Sequence, residues 1–147
     1  MEKITNGITL RELIRTLEKK LGIIEENNKS DCCLGITFAQ CHAITEIGRA
    51  KQLTINDLAF ALNMDKGAMS RAVKDLVEKG FAQREVDERD RRYVAISLTK
   101  KGEEKYNSIQ SDMQKYFDKI LSNIPEKKQE QVFESLMLLN QAIPDGK

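Results

Sequence analysis

Two short helical segments, separated by three residues and followed by a strand-like pair, constrain the fold of this chain most. Thr54 and Asp57 have the spacing of a capping box, which predicts a helix from Thr54 through Leu62. Residues 63–65 then form a turn, in which Asp65 is placed to cap a second helix over 66–79. Gly80 follows as the residue that ends this helix. The pattern predicts two helices joined by a tight turn, with a β-hairpin over 81–98.

Helical spacing of apolar residues continues on both sides of this segment. A capping box at Thr9 predicts a first helix that extends past Leu21 to the polar stretch 25–31, and a second box at Thr37 predicts a short helix that stops at Gly48. A long helix starts at 99–103, and Pro125 opens the last one. The apolar stripes of the outer helices lack an intramolecular partner, so we expect them to pack against a second copy of the chain.

The predicted fold class is therefore mainly α with a small β-hairpin. We expect one domain over residues 1–147, with a winged helix-turn-helix core at 37–98. The helices at 8–26 and 99–143 are expected to form a dimer interface.

Charge is distributed unevenly along the chain. The formal net charge of the 147 residues is only +1, yet residues 66–101 carry a net charge of +4 and the remainder −3. Since local charge is what attracts phosphate, this predicts a nucleic-acid partner for the basic segment 66–101. No apolar run approaches the roughly 20 residues that span a bilayer, and Met1 to Leu10 lacks the basic segment followed by an apolar run that is typical of a signal peptide. These features predict a cytoplasmic protein that does not contact membranes.

The helix over 66–79 has one apolar and one small, cationic face. Met69, Val73, Leu76 and Val77 form the stripe that we expect to be buried. The residues that face outward are then Lys66, Gly67, Ser70, Arg71, Lys74 and Asp75. Arg71 suits a guanine edge, Ser70 a base or phosphate, and Lys66 and Lys74 suit phosphates of double-stranded DNA. The alternative interpretation is an ordinary solvated helix face.

A charged hairpin tip favours the DNA-binding interpretation. Residues 87–92 place three arginines beside the proposed reading helix, where an extended tip reaches a minor groove. We expect Arg89 and then Arg91 to enter the groove, Arg92 to pair with Asp87 or Asp90, and the interleaved acids to orient the arginines. In the alternative interpretation, the arginines and acids of the tip form salt bridges only with one another and bind no partner.

These residues carry a family resemblance. Leu53 to Gly102 resembles the winged helix-turn-helix of the MarR family of bacterial regulators, most specifically in the Asp-x-Arg-Asp-x-Arg tip that runs into Leu98-Thr99-x-x-Gly102. The resemblance implies a homodimer on a pseudopalindromic operator, usually a repressor that a small molecule, metal or oxidant releases. Gly67 and Ala68 depart from it, because many relatives have hydroxyl residues there.

The cysteines lie outside the pattern of the family. Cys32, Cys33 and Cys41 fall within ten residues and are followed by His42, the only histidine. Three thiols and an imidazole suit a metal or metalloid effector, or an oxidant that forms a disulfide, and no cofactor is required. In the alternative interpretation, Cys41 is a small buried residue in a hydrophobic staple with Ile36, and His42 points away from it. An aromatic acid bound between helices remains open as the effector.

Two other functions compete with a DNA-binding regulator. An enzyme needs a nucleophile and a base, and the sole pair of this type, Cys41 with His42, diverges on a helix, so no catalysis is expected. A winged-helix module that binds protein would keep the fold, but it has no use for three arginines at the tip. Salt-sensitive binding to DNA distinguishes these alternatives.

Overall fold

The computed structural model describes residues 6–22 and 35–145, and most of them are helical. The elements in chain order are α1 (Gly7–Lys20), α2 (Phe38–Ala50), α3 (Ile55–Ala61), α4 (Lys66–Glu78), β1 (Ala82–Val86), β2 (Val94–Leu98), α5 (Lys100–Ser122) and α6 (Glu126–Ala142). The predicted fold class, mainly α with a small β-hairpin, is confirmed.

Side-chain caps begin the central helices where the sequence predicts them. Thr37 and Thr54 each form a reciprocal capping box, with Gln40 and Asp57 respectively, and Asp65 accepts a hydrogen bond from the backbone N–H of Ala68. Gly80, at φ 83°, ends α4. Its N–H donates to the carbonyl of Val77, and the following N–H donates to Leu76, which is a Schellman motif.

The predicted bounds of the first helix are wrong at both ends. Asn6, not Thr9, caps α1, and its side chain accepts a hydrogen bond from the N–H of Thr9. The helix ends at Lys20, because Gly22 adopts a φ of 75° that an α-helix cannot continue. An extension of this helix to residue 26 is therefore wrong, and residues 23–26 themselves lie outside the described part of the chain.

The prediction that the second helix stops at Gly48 is also wrong. Helix α2 continues to Ala50, and the positive φ that follows it is found at Lys51. Gly48 is buried inside the helix, where the ring of Tyr106 packs on it so closely that a Cβ would lie 2.4 Å from a ring carbon. This glycine makes room for a neighbouring helix and does not end its own.

One aliphatic core joins the central elements. Its largest fully buried side chains come from the segment before α2 and from α2, α3, α4, β2 and α5: Ile36, Ile44, Ile47, Leu58, Met69, Val73, Leu76, Ile96 and Ile109. Because these elements contribute apolar residues to one cluster, the central region forms a hydrophobic core without the outer helices α1 and α6.

Backbone contacts attach the hairpin to the helices. Strands β1 and β2 are antiparallel, with Ala82 opposite Leu98 and Val86 opposite Val94. Leu53, just before α3, exchanges two hydrogen bonds with Ile96, with N···O distances of 3.0 and 2.7 Å. At the other end of the hairpin, a Cβ on Gly102 would lie 1.9 Å from the carbonyl oxygen of Phe81, so α5 approaches the α4–β1 turn as only glycine allows. The hairpin is thus held beside α3 and α4.

The outer helices expose apolar residues. Neither α1 nor α6 contains a buried residue. Large apolar side chains that are exposed on these helices, at the end of α5 and at the helix ends, are Ile8, Leu10, Leu13, Leu17, Leu21, Phe117, Ile120, Phe133, Leu136, Met137, Leu138 and Ile143. Within residues 6–22 and 35–145, no helix has the length and apolar character that crossing a membrane requires.

Candidate nucleic-acid interface

Helix α4 presents a small, basic face to solvent. Met69, Val73 and Leu76 are fully buried, and Val77 is partly buried, so the apolar stripe predicted for this helix is confirmed. On the opposite side, four polar side chains predicted to face outward are exposed: Lys66, Ser70, Arg71 and Lys74. Gly67, near the N-terminus of α4, is half-buried. The core therefore holds the helix by one face and leaves the cationic face open.

Asp75 is only half-exposed and is directed at α2, contrary to the prediction that it faces outward with the basic residues. Its carboxylate accepts hydrogen bonds from the side chains of Gln40, on α2, and Lys79, one turn further along α4. These two hydrogen bonds, with Lys79 as the larger cause, lower the pKa of Asp75 below its ordinary value of 3.8. Asp75 is thus occupied within the protein, and its negative charge is directed away from the basic face.

Two aspartates shape the wing tip, which comprises residues 87–92. The Asp87 carboxylate accepts a hydrogen bond from the backbone N–H of Arg89 at 2.8 Å, and the Asp90 carboxylate accepts one from the backbone N–H of Arg92 at 3.1 Å. The N–H of Asp87 and the carbonyl of Tyr93 join the base of the tip at 3.0 Å. The carboxylates of Asp87 and Asp90 therefore stabilise turns in the backbone of the wing tip.

The three arginines of the wing tip differ in what they contact. Arg92 donates to Asp90 through two nitrogens, at 3.0 and 2.9 Å, which confirms the predicted pair and lowers the pKa of Asp90. The Arg89 and Arg91 side chains are exposed and form no ion pair with any residue that the structure describes. The expectation that the acids orient all three side chains is wrong for Arg89 and Arg91, because Asp87 binds the backbone of Arg89 and, among the described residues, only the Arg92 side chain pairs with an acid.

Sequence reasoning missed two residues near this surface. Tyr93 is 60% exposed at the base of the wing tip, and its position directly after a charged run was the available signal. Gln40, the partner of Thr37 in the predicted capping box, also reaches α4 with its side chain. That contact joins residues 32 and 35 positions apart, and no local pattern indicates it.

The structure describes only part of the cysteine cluster. Cys32 and Cys33 lie outside the described residues, so a three-thiol site stays a prediction. Cys41 is 8% exposed and shares the core with Ile36, as the hydrophobic-staple interpretation expects. Among residues 6–22 and 35–145, no three His, Cys, Asp or Glu side chains are grouped to hold a metal ion.

His42 lies on the exposed side of α2, away from Cys41. Its ring packs against Phe38 with a centroid distance of 4.8 Å and an interplanar angle of 47°. Partial burial of the imidazole lowers the pKa of His42 below 6.5, and the charge of Glu46 opposes this shift. The helical directions of Cys41 and His42 diverge, as predicted.

A helix pair joined by a tight turn, a basic exposed second helix and an adjoining arginine-bearing hairpin define a winged helix-turn-helix protein. The sequence model that describes the MarR family matches residues 34–92 of this chain. The HTH-type transcriptional regulator BilQ of Clostridium symbiosum is 31% identical over 105 residues, which cover 71% of this chain and 73% of BilQ. The chain belongs to the MarR family and is a DNA-binding transcriptional regulator.

Solved structures agree with this assignment. The FabT protein of Streptococcus pneumoniae, crystallised in complex with DNA, is 25% identical and superimposes with a TM-score of 0.77 over 92% of this chain and 96% of FabT. A MarR transcriptional regulator from Methanosarcina mazei, 23% identical, has the same fold, with a TM-score of 0.74 over 88% of this chain and 95% of that one.

Proposed function

We propose that this protein is a cytoplasmic, homodimeric repressor that binds a pseudopalindromic operator and leaves it when an effector binds. The observation that carries the proposal is an exposed basic face on α4, together with a hairpin that contacts α4 and carries Arg89 and Arg91 at its tip, where neither side chain forms an ion pair with a described residue. Helix α4 would enter a major groove, with Ser70 and Arg71 at base edges and Lys66 and Lys74 at phosphates. Gly67 would let the helix backbone approach the DNA. Arg89 and Arg91 would reach the adjacent minor groove.

The exposed apolar residues support the dimer. Helices α1 and α6 contain no buried residue, and eight large apolar side chains on them are between 46% and 76% exposed. A second copy of the chain would cover these surfaces and place two α4 helices on one face of the DNA. The domain division into a DNA-binding core at 37–98 and flanking dimerisation helices belongs to this proposal.

Fluorescence anisotropy on DNA from the region upstream of the gene tests this function. We expect tight binding that weakens as salt rises, because contacts with phosphates release counterions. The variant Arg89→Ala should weaken binding by about 1–3 kcal/mol and leave the dimer intact. Arg92→Ala is the matched control, and its loss should be smaller because Asp90 already holds that guanidinium.

Three results would contradict parts of this proposal. Equal losses for Arg89→Ala and Arg92→Ala would mean that only the net charge of the tip matters. Unchanged affinity for Arg89→Ala would remove Arg89 from the interface. A wild-type protein without salt-sensitive binding to any DNA would favour a winged-helix module that binds protein.

The effector is a separate part of the proposal. Replacing Cys32, Cys33 and Cys41 by Ser should abolish release from DNA by arsenite, cadmium, zinc or peroxide and leave DNA binding unchanged. Cys41→Ser alone is a useful control, since Cys41 is buried in the core and its loss acts on stability. Release that persists in the triple variant would contradict thiol sensing and favour a small organic effector such as an aromatic acid.

A further inference from the structure

Gln40 is the one buried polar side chain in the described part of the chain, and it is 3% exposed. It is the third residue of α2, and its Oε1 accepts a hydrogen bond from the backbone N–H of Thr37 at 3.0 Å. This bond completes the capping box and accounts for the side-chain oxygen. The two N–H groups of the amide remain, and burying them without acceptors would be costly.

Both of these N–H groups are directed at α4. The Nε2 atom donates to the carbonyl oxygen of Ala72 at 3.2 Å and to Oδ2 of Asp75 at 2.6 Å. The two acceptors are three residues apart, so they lie on the same side of the helix. The Gln40 side chain thus spans the gap between α2 and α4 with directional contacts.

Lys79 closes this connection into a ring. Its Nζ lies 2.8 Å from Oδ2 of Asp75 and donates to the carbonyl oxygen of Gly35 at 2.6 Å. The chain then runs through Thr37 back to Gln40. The polar ring therefore consists of Gly35, Thr37, Gln40, Asp75 and Lys79, and it ties the start of α2 to the second half of α4.

Apolar packing alone leaves the rotation of α4 loosely specified. Met69, Val73 and Leu76 hold the helix against the core, but apolar attraction is non-directional. Hydrogen bonds prefer narrow ranges of distance and angle. Two basic residues of the exposed face, Arg71 and Lys74, directly precede the two acceptors in the chain. Any rotation of the helix that breaks the bonds of Gln40 moves these basic side chains as well.

We propose that Gln40 is a positioning residue for sequence-specific DNA recognition, which it serves by setting the rotation of α4 through its hydrogen bonds to Ala72 and Asp75. The inference rests on the proposed operator-binding function. Contacts with base edges require accurate side-chain placement, whereas contacts with phosphates tolerate displacement. Loss of the Gln40 contacts should therefore reduce the preference for the operator and leave non-specific binding nearly unchanged.

The test compares two affinities of each variant. One duplex is the sequence that the wild-type protein enriches from a random pool, and the other is a shuffled duplex of equal length and composition. Gln40→Met keeps the side-chain length but removes the three hydrogen bonds. It should lower the ratio of the two affinities about tenfold, which is the order of discrimination that one well-aligned base contact provides. A variant that merely unfolds in part loses both affinities equally, so its ratio does not change.

A variant pair tests the hydrogen bond itself. Gln40→Glu places a second carboxylate against Asp75 and should lower the ratio at least as much as Gln40→Met. Adding Asp75→Asn reverses the polarity of the contact, because the amide introduced at position 75 can donate to the carboxylate introduced at position 40. The double variant should recover part of the preference that Gln40→Glu loses, because the contact with position 75 is restored while the Ala72 carbonyl still lacks its donor. Asp75→Asn alone keeps an acceptor for Gln40 and serves as the control, with a small effect.

An unchanged ratio for Gln40→Met would overturn the inference. So would a double variant that recovers nothing, because the loss would then come from local disruption and not from the hydrogen bond. A wild-type protein that binds no DNA in a salt-dependent way would contradict the proposed function first, and the inference with it.

Discussion

The central region and the outer helices of this molecule use apolar residues in opposite ways. In the central region, from α2 to the first half of α5, Ile44, Leu58 and Ile96 are completely buried in one core. On the outer helices, Leu13 is 61% exposed and Leu136 is 47% exposed. Both regions have strong apolar stripes in sequence. An apolar stripe on a helix therefore predicts that this face will be buried. The tertiary structure decides whether the same chain or another molecule buries it.

The largest expected effect is a cavity in the central core. Leu76→Ala should lower the free energy of unfolding by about 2–5 kcal/mol, because Leu76 is fully buried among aliphatic neighbours. Denaturant titration followed by circular dichroism measures this. The matched control, Leu10→Ala on α1, changes a side chain that is 48% exposed and should cost much less at concentrations where the protein is monomeric. Equal costs would remove the contrast between the two regions.

A charge introduced on α6 should weaken dimerisation without unfolding the monomer. Leu136→Glu places a carboxylate in the proposed dimer surface and should weaken association by at least about 2 kcal/mol, which is the size of an interface hot spot. Sedimentation of both proteins measures the change. Gln141→Glu adds the same charge at an exposed position on the polar side of α6, which also carries Glu130 and Glu134, and should leave the dimer intact. If Leu136→Glu remains a dimer of wild-type strength, α6 is not the covered surface.

Two glycines make the comparison sharper. Gly102→Ala should lower the free energy of unfolding by about 1–3 kcal/mol, because its Cβ would meet the Phe81 carbonyl oxygen 1.9 Å away and the backbone would have to shift. Gly7→Ala, on α1, meets nothing within 4 Å and should instead stabilise the protein by about 0.4–1 kcal/mol. Thermal unfolding of the two variants should therefore shift in opposite directions.

The smallest expected effect is a pH dependence that originates at His42. Partial burial lowers the pKa of His42 in the folded state below its unfolded value of 6.5. The unfolded chain therefore binds the proton more strongly, so this contribution to stability is complete above pH 6.5 and is lost as the pH falls towards the folded-state value. Unfolding measured across this range should show a drop that His42→Gln reduces. An identical pH profile in the variant would assign the drop to other groups.

Local features were the part of the fold that sequence reasoning predicted well. Thr37, Thr54 and Asp65 cap helices, Gly80 ends α4, and the pair of Arg92 with Asp90 shapes the wing tip. Each of these interactions joins residues only a few positions apart, so residue type and spacing are sufficient to indicate it. The buried stripe of α4 was equally accessible, because it repeats with the helical period.

The wrong predictions concern residues whose contacts join positions far apart in the chain. Gly48 was mistaken for a helix end because the ring that packs on it belongs to Tyr106, on a helix far along the chain. Asp75 was assigned to the solvent because the amide that binds it belongs to Gln40, on another helix. Residue types and their spacing therefore determined the helices, the turn, the wing and the basic character of the interface. Only the tertiary structure decided that Gly48 lies inside α2 against Tyr106 and that the Asp75 side chain binds Gln40. Contacts between positions far apart in the chain do not repeat with the helical period, so residue spacing does not indicate them.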